Sequence, residues 1–134
     1  MIGLGKLGLP CATVMNEHYD VSGYDTQHIN APFKLYGDIT DCIADSDYIF
    51  VAVPTPHDRE YGGETPTSHL PVKDFDYSIV KNVLVEIANT LTVNQQVVLI
   101  STVLPGTTRR EFAPIIPNII YNRSEEHTSE LQSH

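Results

Sequence analysis

Cysteines, basic residues and long apolar runs are all scarce in this chain of 134 residues. Two cysteines, Cys11 and Cys42, cannot build a disulfide framework, and the first residues lack the basic stretch and cleavage site of a signal peptide. No run approaches the roughly 18 apolar residues that a membrane-spanning helix needs. We therefore expect a cytoplasmic protein without a membrane partner.

The scarcity of basic residues gives the chain an acidic balance. Eight Lys and Arg stand against seventeen Asp and Glu, for a net charge of −9. The long-range field of such a chain repels nucleic acid, which excludes nucleic acid as a partner, and any anionic ligand must be held by local groups. The six histidines are scattered, without a pair at i,i+4 spacing or a cysteine at ligand spacing, so the sequence predicts no metal site.

Apolar residues make up 41% of the chain, which is enough for one packed domain. Short β-branched runs alternate with segments of helical spacing, and this alternation predicts a parallel sheet with helices on both faces. The expected fold is therefore α/β, a Rossmann-type, doubly wound and mainly parallel sheet. The predicted strands cover residues 21–25, 33–36, 48–53, 96–101 and 119–121, and the predicted helices cover residues 7–17, 40–44, 76–91 and 107–114.

Polar residues mark the predicted helix starts. Thr40, followed by Asp41 in the first turn, is expected to cap the second helix, and Asp76 the third. Thr107 or Thr108 is expected to cap the last. The third helix carries an apolar stripe at helical spacing, formed by Ile79, Val80, Val83, Leu84, Ile87, Ala88 and Leu91.

A glycine pattern, Gly3-x-Gly5-x-x-Gly8, opens the first predicted helix. It fits the dinucleotide fingerprint, in which the glycines serve a tight turn, the approach of a pyrophosphate and close helix packing. Asp25 ends the next strand, 22 residues after Gly3, where a carboxylate accepts both hydroxyls of the adenosine ribose and repels a 2′-phosphate. The pattern thus favours NAD over NADP as cofactor, although the same glycines also suit an ordinary turn.

Four motifs follow one another along the chain: Gly3-Leu-Gly-Lys-Leu-Gly-Leu-Pro10, Val51-Ala-Val-Pro-Thr-Pro56, Asp76-Tyr-Ser78 and Ser101-Thr-Val-Leu-Pro-Gly-Thr107. Together they resemble the N-terminal NAD-binding domain of the UDP-glucose/GDP-mannose dehydrogenase family. That family oxidises the C6 alcohol of a nucleotide sugar to a carboxylate with two NAD molecules, so the resemblance implies an oxidoreductase of polysaccharide biosynthesis. The resemblance covers most of residues 2–122.

The resemblance also implies which residues hold the cofactor. Thr55 and Thr102 fall on the nicotinamide side, and Thr102 has a supporting catalytic role through an ordered water. Without the resemblance, Thr55 is a turn residue between prolines and Thr102 a strand end. The full set of implied cofactor residues is Gly3, Gly5, Leu7 and Gly8 for the pyrophosphate, Asp25 for the ribose, and Thr55 and Thr102.

The chain departs from the family in several places. Asn30 stands where the family has a basic residue for the adenosine phosphate, and the stretch between Asp25 and Tyr48 is shorter than usual. Lys6 replaces an aromatic residue in the glycine loop, and its ammonium can approach the pyrophosphate. NAD binding is still expected despite these differences, but the position of NAD in the site cannot be inferred from the family.

The catalytic thiol of the family lies in a downstream motif that this chain does not contain. Cys11 and Cys42 fall in predicted helices without an adjacent base and are interpreted as small buried residues. We therefore expect this chain alone to be inactive. The nucleotide-sugar substrate and a homo-oligomer are expected only for a full-length protein.

Both ends of the chain differ from the family pattern. Only Met1 and Ile2 precede the glycine loop, so the first strand is expected to be mostly missing, leaving its neighbours without hydrogen-bond partners. Residues 123–134 resemble a translated sequencing-adapter oligonucleotide. The expected division is therefore a partial NAD-binding domain over residues 1–122, truncated at both ends, and a non-native tail over residues 123–134.

Two other functions fit parts of the sequence. A stand-alone, non-catalytic dinucleotide-binding module would use the same glycine loop. A dehydrogenase of the 6-phosphogluconate or hydroxyacyl type would also share it, but the paired motifs that begin at Val51 and Ser101 argue against that class.

Overall fold

Parallel strands alternate with helices in this computed structural model, which describes residues 1–55, 76–101, 103 and 106–122. No helix in these ranges is long and apolar enough to cross a membrane. The strands are β1 Ser22–Gly23, β2 Lys34–Leu35, β3 Tyr48–Val51, β4 Gln96–Leu99 and β5 Ile120–Tyr121; the helices are α1 Gly8–Met15, α2 Ile39–Ile43, α3 Ser78–Ala88 and a π-helix, Thr108–Phe112.

All strand pairs are parallel, with β1 beside β2 and the order β3, β4, β5 in the other group. Residues 1–4 lie between the two groups, because Ile2 forms parallel bridges with both Tyr24 and Val51. If this segment is counted as the first strand, the order across the molecule is 3-2-1-4-5-6, that of a doubly wound dinucleotide-binding sheet.

The short N-terminal segment bonds to both of its neighbours. On one side the amide of Gly3 donates to Tyr24 O over 2.9 Å, and on the other the amide of Ile2 donates to Phe50 O over 2.7 Å. The Ala52 amide donates back to Ile2 O over 2.8 Å. Residues 1–3 therefore hold β1 and β3 together next to the glycine loop, and the expectation that the neighbours of the first strand lack hydrogen-bond partners was wrong here.

Two buried clusters cover opposite faces of the sheet. Adjacent residues of β3 divide between them: Ile49 and Val51 belong to the cluster of α2, α3 and the π-helix, whereas Phe50 packs against the cluster of α1. The continuous apolar run over residues 48–53 thus serves both faces, as expected for a parallel strand.

The apolar stripe of α3 is narrower than the sequence predicts. Val80, Leu84 and Ile87 are fully buried against the sheet. Ile79 and Ala88, which the periodicity places on the same stripe, are exposed, so the stripe is buried only in part. The i, i+4, i+7 line is the part of the helix that faces the sheet.

Helix capping also differs in part from the prediction. Asp38 is the N-cap of α2, with its carboxylate accepting the Asp41 amide over 2.7 Å, so Thr40 lies inside the helix and is not the cap. Asp76 accepts the Ser78 amide over 3.0 Å, but Tyr77 is the N-cap of α3, so the prediction that Asp76 caps this helix was wrong by one residue. Thr107, one of the two predicted caps, is at the N-cap position of the π-helix, but its side chain makes no capping hydrogen bond, and Thr108 is already inside the helix.

Candidate functional site

Two glycines of the glycine loop are required by the fold of the loop itself. Gly3 has φ +98°, and a Cβ there would lie 2.6 Å from the carbonyl oxygen of Ala52. A Cβ on Gly8 would lie 1.9 Å from the carbonyl oxygen of Gly3. The loop therefore closes on itself, with its last glycine packed on its first, as the fingerprint requires.

Gly5 has no such neighbours. Nothing lies within 4 Å of a Cβ built at this position, and its φ is outside the left-handed region. No contact among the described residues requires a glycine at this point. The missing side chain leaves open space directly over the backbone that enters α1, and this space suits a ligand that approaches the peptide groups closely.

The start of α1 is suited to an anion. Leu7 precedes the helix without a side-chain cap bond, and the first turn contains no acidic residue. The amide groups at a helix start carry the positive end of its dipole; in α1 the Leu9 amide already donates to Gly5 O over 3.1 Å, and Pro10 has no N–H group. A phosphate at this position is stabilised without any general basic surface on the protein.

Asp25 is brought to the glycine loop by β1. Its Oδ2 accepts the amide of Leu4 over 2.7 Å, and its Oδ1 accepts the amide of Gln27 over 2.8 Å. Each carboxylate oxygen has two lone pairs, so both oxygens retain capacity for a further hydrogen bond. The only predicted acid of the site thus lies beside the loop, as its position in the sequence indicates.

A cavity of about 160 Å³ opens beside the Asp25 carboxylate. Its lining also includes Gln27, His28, Ile29 and Tyr36. The cavity therefore combines ring and aliphatic surfaces with the acid and lies against Leu4 of the glycine loop.

The ends of β3 and β4 meet near the same loop. The hydroxyl of Ser101 donates to Val53 O over 2.7 Å, and Ser101 itself is buried. Thr55, two residues after Val53, is half-buried. Thr102 lies outside the described residues. The sequence did not predict that Ser101 links the ends of the two strands. A hydroxyl residue at a predicted strand end was the available signal, but the sequence does not show its partner on the neighbouring strand.

The groups gathered here suit binding more than bond-breaking chemistry. The site offers backbone amides, the Thr55 hydroxyl and one carboxylate. Among the residues that the structure describes, no group of three His, Cys, Asp or Glu side chains could hold a metal ion. Such an arrangement holds and orients a charged organic ligand.

Comparison with known families supports this interpretation. The chain matches the UDP-glucose/GDP-mannose dehydrogenase family, NAD binding domain, over residues 23–131. The match includes Asp25, Thr55 and Thr102 and begins after the glycine loop, so the assignment of the loop rests on its own geometry. The matched range also extends beyond Asn122, where the sequence predicts the end of the domain; that boundary stays a prediction. No curated protein matches the chain.

Solved structures share the fold. A UDP-D-ManNAc dehydrogenase from Pyrococcus horikoshii aligns with TM-score 0.67 at 21% identity, covering 92% of this chain and 35% of its own. An NDP-N-acetyl-D-galactosaminuronic acid dehydrogenase from Methanosarcina mazei aligns with TM-score 0.70 at 16% identity, covering 92% of this chain and 34% of its own. A UDP-N-acetyl-mannosamine dehydrogenase from Staphylococcus aureus aligns with TM-score 0.67 at 22% identity, covering 91% of this chain and 35% of its own. The Rossmann-type α/β fold is thereby confirmed, and the chain spans about a third of the length of these proteins.

Proposed function

The chain belongs to the UDP-glucose/GDP-mannose dehydrogenase family through its NAD-binding domain, and we propose that it is the cofactor-holding portion of a nucleotide-sugar 6-dehydrogenase. The family description and the structural neighbours named above all concern nucleotide sugars. They support this substrate class for a full-length protein, with the C6 alcohol oxidised to a carboxylate. NAD, when bound, accepts the hydride that the alcohol loses.

The observation that carries the proposal is the open space at Gly5. Gly3 and Gly8 are explained by contacts inside the protein, but Gly5 is not. A pyrophosphate over Gly5 would accept hydrogen bonds from backbone amides at the start of α1, next to Leu7. This local arrangement explains how a chain of net charge −9 holds an anion.

Asp25 would select NAD over NADP. The carboxylate oxygens that accept the Leu4 and Gln27 amides would use their remaining lone pairs to accept the two hydroxyls of the adenosine ribose. The same negative charge would repel a 2′-phosphate. The cavity beside Asp25, next to His28 and Tyr36, is of a size to receive part of the adenosine end.

Thr55 and Thr102 would serve the nicotinamide end. Both follow strands whose ends are linked by the bond from Ser101 to Val53 O. Hydroxyl groups at this position would orient the carboxamide or a water without placing charge in the path of the hydride. Thr102 would have the supporting catalytic role that the family implies, through such a water.

We infer that this chain alone does not oxidise a sugar. Of its two thiols, Cys42 is buried, and this burial raises its pKa, which disfavours the thiolate needed for nucleophilic attack. Cys11 is half-buried on α1, and its sequence neighbours in that helix include no base. The nucleophile, the sugar-nucleotide site and the subunit contacts of a homo-oligomer would come from other parts of a full-length protein.

Titration calorimetry with NAD and with NADP tests the proposal. The wild-type chain should bind NAD more tightly, and Asp25→Asn should weaken NAD binding by about tenfold or more, since hydrogen bonds to a charged group contribute roughly 1.5–3 kcal/mol. The same variant should narrow the preference for NAD, because the repelling charge is gone. Supplied with NAD and a UDP-sugar, the chain should form no NADH.

Asp20→Asn is the matched control, because Asp20 is exposed and lies outside the loop. It should leave both affinities unchanged. Equal wild-type affinity for NADP and NAD would contradict the assigned role of Asp25, and NADH formation by this chain would contradict its inactivity.

A further inference from the structure

Asp25 makes two hydrogen bonds that require no ligand. One oxygen accepts the amide of Leu4 inside the glycine loop and the other accepts the amide of Gln27. We propose that Asp25 is a positioning residue, whose carboxylate holds the glycine loop in its diphosphate-binding conformation in addition to contacting the ribose. This proposal rests on the proposed function, since it concerns the same NAD site.

The bond to Leu4 stabilises a departure from strand geometry. In a regular strand, successive amides point to opposite sides. Here the amide of Gly3 donates to Tyr24 O and the next amide, that of Leu4, donates to Asp25, so both point towards the same neighbouring segment. The positive φ of Gly3 turns the chain in this way. Without the carboxylate, the Leu4 amide would lose its partner, and a buried amide without a partner is destabilising.

The bond to Gln27 fixes the direction of the carboxylate. A carboxylate that accepts an amide two residues later closes a local turn of the Asx type. The oxygen facing Leu4 is therefore presented by a side chain whose orientation is already set. Leu4 is itself anchored, because its side chain is 1% exposed within the cluster that packs against α1.

The effect of Asp25 extends to the start of α1 through the contact between Gly3 and Gly8. The carbonyl of Gly3 fills the position that a Cβ on Gly8 would take. Fixing the peptide between Gly3 and Leu4 thereby fixes the residue at which α1 begins. The amides that would hold a diphosphate are ordered before the ligand arrives, which removes an entropic penalty from binding.

A ligand that lacks the ribose hydroxyls separates the two roles of Asp25. The wild-type chain and Asp25→Asn are titrated with ADP and with 2′,3′-dideoxy-ADP, and Asp20→Asn serves as control. If Asp25 acts only on the hydroxyls, the substitution leaves the affinity for dideoxy-ADP unchanged, and this result overturns the proposal. We expect the substitution to lower that affinity by about threefold to tenfold, as a loss of preorganisation.

Nuclear magnetic resonance gives a readout that does not depend on a ligand. In the wild-type chain, a scalar coupling across the hydrogen bond should connect the Leu4 amide nitrogen with the Asp25 carboxylate carbon; its absence overturns the proposal even if the variant fails to fold. In folded Asp25→Asn, the single side-chain oxygen can accept only one of the two amides, so the amide of Leu4 or that of Gln27 should exchange faster with solvent. If the wild-type chain shows the coupling but binds no ADP, the proposed function fails while the bond from Leu4 to Asp25 stands.

Discussion

At the scale of single residues, the glycine loop separates the demands of folding from those of binding. We predict that Gly8→Ala destabilises the protein by about 3 kcal/mol, because its methyl group would meet the Gly3 carbonyl inside a packed loop. Gly5→Ala should change the free energy of unfolding by less than about 0.5 kcal/mol, because its methyl group meets nothing. Urea denaturation measures both.

Gly5→Ala should act on binding although it leaves the fold stable. Gly5→Ala should weaken NAD binding by about tenfold or more, since the methyl group would separate the diphosphate from the backbone amides. Gly37→Ala is the control, because Gly37 also has open space around a Cβ but lies outside the loop. A stable Gly5→Ala variant with unchanged NAD affinity would contradict the assignment of the pyrophosphate to this loop.

Spacing predicted which residues lie together at the glycine loop, but not how they bond. The position of Asp25 after a predicted strand was sufficient to place it beside the glycines. Its bond to Leu4 was not predictable, because that bond depends on the rotation of one peptide by the positive φ of Gly3. The cap of α2 shows the same limit: Asp38 and Thr40 both suit a helix start, and the extended backbone of Asp38 decides between them.

At the scale of elements, hydrophobic pattern predicted the existence of strands and helices better than their ends. The run over residues 48–53 forms β3 only as far as Val51, because the ladder to β4 ends there. Tyr48, at its start, is 64% exposed. Where a strand ends depends on its partner, which lies far away in the sequence.

The helix after Gly106 shows what sequence pattern omits. The Ala113 amide donates to Thr108 O over 2.8 Å, an i to i+5 bond typical of a π-helix. Thr107 is fully buried, and its hydroxyl lies 3.4 Å from that of Tyr77. Tyr77 also packs edge-on against Phe112, with ring centroids 5.5 Å apart. These tertiary contacts, and not a cap, determine the position of this helix.

The link between α3 and the π-helix should depend on pH. The Glu111 carboxylate accepts hydrogen bonds from Lys81 of α3 and from Arg110, and these bonds lower the pKa of Glu111 from the ordinary 4.5. A lowered carboxyl pKa stabilises the fold above the ordinary value, and this stabilisation is lost as the pH falls through the lower folded value. Glu111→Gln should therefore unfold at slightly lower urea concentration than wild type at pH 7.

The difference should be small, since the pair is solvent-exposed. It should shrink as the pH falls below 4.5, where protonation also removes the wild-type charge. Glu86→Gln, on an exposed position of α3, is the control and should show no such convergence. A Glu111→Gln variant whose deficit stays constant down to pH 3 would contradict the link.

At the scale of the whole molecule, strand order explains the site. Residues 1–4 lie between β1 and β3, so the glycine loop, Asp25 and Thr55 all follow parallel neighbours at one edge. The alternation of strands and helices predicted this convergence, because parallel strands place their carboxyl ends together. The sequence did not show that residues 1–3 bond to both neighbouring strands.

The central claim is that this edge of the sheet binds NAD, and an NMR titration of the labelled chain with NAD tests it most directly. We predict that the largest amide shift changes fall on residues 3–8 and 25–27 and on Thr55, while the amides of β5 stay in place. Saturating NAD that leaves residues 3–8 unperturbed, or that moves only signals away from this edge, would contradict the account.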